Sequence, residues 1–188
     1  MKELHIKNMV CNRCIKAVYD ILEKEHLAPA QVALGKVTLR EDISADKLAS
    51  LRTALEEEGF MLIDDRRSRM IEAIKNAVIE KVHYGDLSEM KEKFSVYLSD
   101  RLHKDYNYLS ALFSEVENNT IEHYIILQKV EKIKELLVYD EWSLGEIAFQ
   151  LGYSSVAHLS AQFKKTTGFT PSQFKQLKEH RRKPLDEV

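Results

Sequence analysis

Five residues near the end of this chain, Leu159-Ser160-Ala161-Gln162-Phe163, repeat an earlier stretch, Leu109-Ser110-Ala111-Leu112-Phe113, at a spacing of 50 positions. The same offset pairs Thr170 with Thr120 and Phe174 with Tyr124. Leu and Phe four apart lie on one side of a helix, so each copy must be a helix that buries that side. The trailing Thr, followed by an aromatic residue, marks the start of a further helix. Whatever the first copy folds into, the second must resemble it.

The punctuation around the second copy is complete. Leu144, Ile147, Ala148 and Leu151 form the apolar face of a first helix, and Gly152 permits a turn. Ser154 or Ser155 can cap the next helix, in which Val156, Leu159 and Phe163 are expected to face inward. Gly168 stops it, and Thr170-Pro171-Ser172-Gln173 has the Thr, Pro and Gln of a capping box. In the first copy Leu109 and Phe113 keep the inward positions and Asp105 can cap. Asn118 stands for the stop glycine, and His103 occupies a place where a turn glycine would be comfortable. Ile121 to Val138 has no Gly or Pro and reads as a stiff spacer helix. Trp142 is expected to open the helix after it as a packing anchor. The pattern is a double helix-turn-helix.

Charge divides the copies. The formal net charge is −2, but from Ser154 to Lys183 seven bases (Lys164, Lys165, Lys175, Lys178, Arg181, Arg182, Lys183) face Glu179 alone. Tyr84 to Tyr124 holds four bases and eight acids. Phosphate neutralisation dominates DNA affinity, so the second copy is expected to grip DNA strongly and the first weakly.

Residues 1–65 read as a separate α+β unit of order βαββαβ, the split βαβ of a ferredoxin-like sandwich. Leu4 and Ile6 alternate as in a strand, and Ile15, Val18 and Leu22 take helical spacing from Cys14 onward. Gly35-Lys36 turns a hairpin between Gln31–Leu34 and Val37–Arg40. Ser44 can cap a helix with core face Leu48, Leu51 and Leu55, which Gly59 ends before a strand at Phe60–Ile63. Asp64 to Arg69 is a polar break. The rest is expected to be all-helical, with a DNA-binding domain at 66–180 and a disordered tail at 181–188.

The segment from about Ile71 to Leu177 resembles the DNA-binding domain of the AraC/XylS transcription regulators. Ile147-Ala148, Gly152-Tyr153, Phe163-Lys164-Lys165, Gly168 and Thr170-Pro171 carry the likeness. The resemblance implies that each unit inserts a helix into successive major-groove faces of double-stranded DNA. It places the readers at Tyr106, Asn107, Ser110, Ala111 and Ser114 in the first unit. In the second they are Ser155, Val156, Ala157, Ser160, Ala161, Lys164 and Lys165. The family often has arginine where Ala111 and Ala161 stand, so base readout here is expected to rest more on methyl contacts, water and shape.

Met9-Val10-Cys11-Asn12-Arg13-Cys14 is similar to the M-x-C-x-x-C loop of heavy-metal-associated domains. That resemblance implies that Cys11 and Cys14 hold a soft ion such as Cu(I), with Met9 beneath the loop and Phe60 shielding it. Asn8 stands in for the usual glycine. Soft thiolates suit Cu(I), whereas Zn(II) would need further ligands. A helix starting at Cys14, together with Arg13, is expected to favour the thiolate. A dithiol–disulfide switch, or a fold kept only for pairing into a homodimer, remains open beside metal binding.

The seven histidines show no metal-ligand spacing, and His158 is expected to be semi-buried. No Gly-rich phosphate loop or paired catalytic carboxylates occur, so no enzyme is expected. No apolar run reaches the roughly 18 residues of a membrane span, and MKELHIKNMV has no secretory apolar core. The expected function is cytoplasmic, sequence-specific transcription regulation, responsive to a soft metal ion. The alternative is a metallochaperone or thiol-redox adaptor whose helical part binds protein.

Overall fold

A computed structural model describes residues 2–63, 66–88, 90, 92–139, 141–177, 185 and 188. The chain divides into two compact units, Met1–Asn76 and Ala77–Val188. Asp64 and Asp65 of the expected break lie outside the described residues, as does the tail at 181–188 apart from Leu185 and Val188.

The first unit builds one four-stranded sheet from β1 (Lys2–Lys7), β2 (Pro29–Ala33), β3 (Lys36–Leu39) and β4 (Met61–Leu62). Its order is β2-β3-β1-β4, with each neighbouring pair antiparallel. Helix α1 (Asn12–Lys24) joins β1 to β2, and α2 (Ala45–Glu57) joins β3 to β4. The period of two in β1 buries Leu4 and Ile6, which meet Val37 and Leu39 of β3 and the Val18, Leu22, Leu51 and Leu55 faces of the helices in one core. Ser44 accepts from the Lys47 amide at 3.4 Å as the cap of α2, and Gly59 follows its end at φ +81°.

Helix α3 (Arg66–Ile79) begins inside the stretch expected to be a polar break. It also comes close to the hairpin. A Cβ added to Gly35, itself at φ +73°, would lie 2.2 Å from Asn76 Nδ2. Glycine there serves both the turn and the close approach. His5 is held below the usual imidazole range by burial and by the charge of Arg69.

The second unit is all-helical among the described residues. One π-helical turn, Glu80–Tyr84, continues α3 up to Gly85. Then follow α4 (Phe94–Leu102), α5 (Tyr106–Glu117), α6 (Ile121–Tyr139), α7 (Leu144–Gln150), α8 (Val156–Thr167) and α9 (Pro171–Lys175). α6 is the expected spacer, with Ile121, Tyr124, Ile125, Val130, Ile133 and Leu137 buried. Both repeats close with the same aromatic pair. Phe113 meets Tyr124 at 5.6 Å between ring centroids, and Phe163 meets Phe174 edge-on at 5.5 Å. These pairs are related by the 50-residue offset. Such contacts add about 0.5–1.5 kcal/mol each beyond burial.

Candidate DNA-binding helices and cysteine pair

The second helix-turn-helix is α7, a turn and α8. Ser143 caps α7 in a capping box with Glu146, a pairing that the apolar pattern alone does not reveal. Trp142 precedes that cap and is 39% exposed, so it neither opens the helix nor anchors the core. Gly152 turns at φ +66°, and its Cα faces Leu87, whose carbonyl oxygen would be 3.1 Å from an added Cβ. Of the two candidate caps Ser155 is the one used, accepting from the His158 amide at 3.1 Å. Gly168 ends α8 at φ +83°, and Thr170 and Gln173 form the expected capping box on α9.

Leu159 and Phe163 are fully buried, as their spacing requires, but Val156 is 39% exposed. Val156 is the first residue of α8 and has no preceding turn of its own helix to cover it. It therefore joins Ser155, Ala157, Ala161, Lys164 and Lys165 on the exposed side, while Ser160 is half-buried. His158 is exposed, against expectation. Its Nδ1 shares a hydrogen bond with Ser154 Oγ at 3.1 Å, and its ring meets Tyr153 edge-on at 5.3 Å.

The first helix-turn-helix, α4 and α5, keeps the frame with other residues. His103 caps α4 at φ +52° and Asn118 caps α5 at φ +50°, both left-handed without glycine. Asp105 accepts from the amides of Asn107 and Tyr108. Asn107 and Ala111 are exposed, and Ser110 and Ser114 are half-buried. Tyr106 is turned to an internal partner, its hydroxyl donating to Glu122 at 2.5 Å. Burial and that carboxylate push the phenol pKa up, and the same hydrogen bond holds Glu122 below the usual carboxylate range.

In the first unit Cys11 is the N-cap of α1 without a side-chain cap bond, so the helix starts just after Cys11 rather than at Cys14. The two Sγ atoms are 3.2 Å apart. Asn8 adopts φ +71°, the left-handed conformation a glycine would give, and its side-chain Nδ2 donates to Gly59 O at 3.0 Å. Met9 is fully buried and Phe60 nearly so. Cys14 departs from the expectation of an easily formed thiolate. Burial pushes its pKa up, and the hydrogen bond to Cys11 pushes it further.

These helices have counterparts of known kind. Residues 98–177 match the helix-turn-helix domain family. The chain is 32% identical over 104 residues to an uncharacterized HTH-type transcriptional regulator of Pseudoalteromonas carrageenovora, covering 54% of this chain and 58% of that one. It is 29% identical over 76 residues to the melibiose operon regulatory protein of Escherichia coli, covering 40% of this chain and 25% of that protein. The chain thus spans less than two thirds of either curated relative. Its fold is similar to the C-terminal domain of AraT, a response regulator from Geobacillus stearothermophilus, at TM-score 0.50 and 24% identity over 63% of this chain and 91% of that one. Residues 98–177 thus form a helix-turn-helix domain, similar to those of bacterial transcriptional regulators. Among the described residues no helix is long and apolar enough to cross a membrane.

Proposed function

We propose that this protein is a cytoplasmic, sequence-specific DNA-binding transcription regulator whose second helix-turn-helix supplies most of the grip. The observation that carries this reading is α8. It is capped at its start by Ser155 and stopped by Gly168, and it exposes Val156, Ala157, Ala161, Lys164 and Lys165 on a scaffold of buried Leu159 and Phe163. Short side chains approach base edges and thymine methyls, and the two lysines approach phosphates. The first helix-turn-helix contributes alignment more than affinity, because Tyr106 is committed to Glu122 and acids outnumber bases around it.

The N-terminal unit is read as ferredoxin-like, of the heavy-metal-associated kind. The βαββαβ order, the strand order and the buried Met9 under the cysteine loop support that reading. Cys11 and Cys14 would hold a soft ion such as Cu(I). The two sulfurs, 3.2 Å apart, would have to move apart to share such an ion. Among the described residues no third His, Cys, Asp or Glu gathers with them, a donor set suited to a soft ion of low coordination. Ion binding regulates DNA binding only through a difference in affinity for two states of the chain.

Selection from a random duplex library tests the reading. Enrichment of a defined sequence, with affinity falling steeply from about 50 to 200 mM salt, is expected. No enrichment at the lower salt refutes DNA readout. For the ion, one equivalent of Cu(I) is expected to bind the intact chain and none the Cys11→Ser, Cys14→Ser variant. Equal uptake by both refutes the cysteine site.

A further inference from the structure

α6 does more than space the two helix-turn-helix motifs. From its middle, Lys129 extends to the turn of the second helix-turn-helix, where Nζ donates to Leu151 O at 2.9 Å. Leu151 is the C-cap of α7, so the ammonium sits where a helix leaves its last carbonyls open and a cation is favoured. The same Nζ lies 5.1 Å over the Tyr153 ring and 5.9 Å over that of Phe94 at the start of α4. Tyr153 in turn donates its hydroxyl to Gln162 Oε1 of α8 at 2.6 Å. One side chain therefore connects the spacer helix, the turn and the recognition helix.

We infer that Lys129 is a positioning residue that fixes the pitch of α8 for base readout, acting through Leu151 O and Tyr153. The inference rests on the DNA-binding reading of α8 and deepens it. The side chains α8 exposes in its first two turns are Val156, Ala157, His158 and Ala161, with Ser155 at the cap, and His158 is tied to Ser154 Oγ and the Tyr153 ring. The others are short. An arginine can swing to recover a base edge when its helix tilts, but an alanine or serine cannot, so a small change of pitch removes their readout altogether. The long, exposed Lys164 and Lys165 can still reach phosphates after the same tilt. Loss of the brace should thus spare non-specific binding and erode discrimination. Burial already pushes the Lys129 ammonium pKa down, in line with a charge held at this junction by the carbonyl and two rings rather than by bulk water.

Lys129→Met keeps the length of the stem and removes the donor and charge, whereas Lys129→Arg keeps both. Affinity is measured for the duplex enriched by selection and for a scrambled duplex of equal length. A hydrogen bond from a charged donor is worth enough that the specific affinity of Lys129→Met should fall about tenfold. Scrambled-duplex affinity should stay within about twofold, and Lys129→Arg should recover most of the loss. Tyr153→Phe, which removes only the hydroxyl, should give a smaller loss of the same kind and serves if Lys129→Met does not fold. Equal loss on both duplexes, or no loss on either, overturns the inference. Amide hydrogen exchange read without DNA separates the two ideas. Faster exchange in α8 than in α5 on losing Lys129 supports the brace even if no duplex is selected, and unchanged exchange in α8 refutes it.

Discussion

Gly152 and Gly168 flank α8 and allow two contributions to its stability to be measured apart. Both have positive φ, +66° and +83°. An alanine at either must hold a left-handed backbone, which costs about 1–2 kcal/mol. The smaller freedom of alanine in the unfolded chain offsets about 0.4–1 kcal/mol of that. Nothing lies within 4 Å of a Cβ on Gly168, so Gly168→Ala should destabilise by about 1 kcal/mol and no more. At Gly152 the new Cβ would meet Leu87 O at 3.1 Å, backbone that has to shift. Overpacking of that kind adds about 1–3 kcal/mol. Gly152→Ala should therefore cost about two to four times as much as Gly168→Ala. For a domain of this size each kcal/mol moves Tm by about 4 °C, so scanning calorimetry should show shifts of about 4 °C and about two to four times that. Gly168→Asn supplies the control, because Asn118 already holds φ +50° at the matching place in the first repeat. It should cost less than Gly168→Ala. Equal shifts for the two alanine variants would refute the tight approach to Leu87, and an asparagine as costly as alanine would refute the equivalence of the two helix ends.

Exchanging Lys164 and Lys165 for Gln should flatten the dependence of log affinity on log salt by about 0.9 for each phosphate left without its cation. The same exchange at Lys93 and Lys104 should flatten it by less than half as much; equal changes, read by fluorescence anisotropy, would place the grip in both helix-turn-helix motifs. Acid sensitivity should trace to Glu122. Its carboxyl is held low chiefly by the Tyr106 hydroxyl, so it contributes stability above the unfolded value of about 4.3 that is lost as pH falls through the folded one. Between pH 5 and 3, Tyr106→Phe should lose less stability than the parent chain in urea titrations, and parallel curves would remove Glu122 from the account.

The legible parts of the sequence were local. Gly168, Asp105, Asn118 and the Thr170–Gln173 box each act on a backbone within a few residues, so a short window carries the whole signal. Leu159 and Phe163 were legible for a related reason, since helical period fixes which side they take. Period fails at a first turn: it puts Val156 inside, whereas Val156 stands exposed, on the side where the family resemblance expects a reader. It also says nothing about a side chain's reach. The exposure of His158, the tie from Tyr106 to Glu122 and the span of Lys129 to Leu151 depend on where other helices pass. The start of α1 escapes sequence reasoning because Cys11 caps without a side-chain hydrogen bond, so no Ser, Thr, Asp or Asn marks it.

That weakly marked start has a consequence of its own. The first amides of α1 lack a side-chain acceptor from the cap, and the residue standing over them is one of two adjacent thiols. An alcohol or carboxylate at the cap would keep the helix end closed at all times. A thiol closes it well only after surrendering its proton, since a negative sulfur is the better partner for a helix beginning. A change of state at the sulfurs would therefore be expected to alter how firmly the first turn of α1 is held.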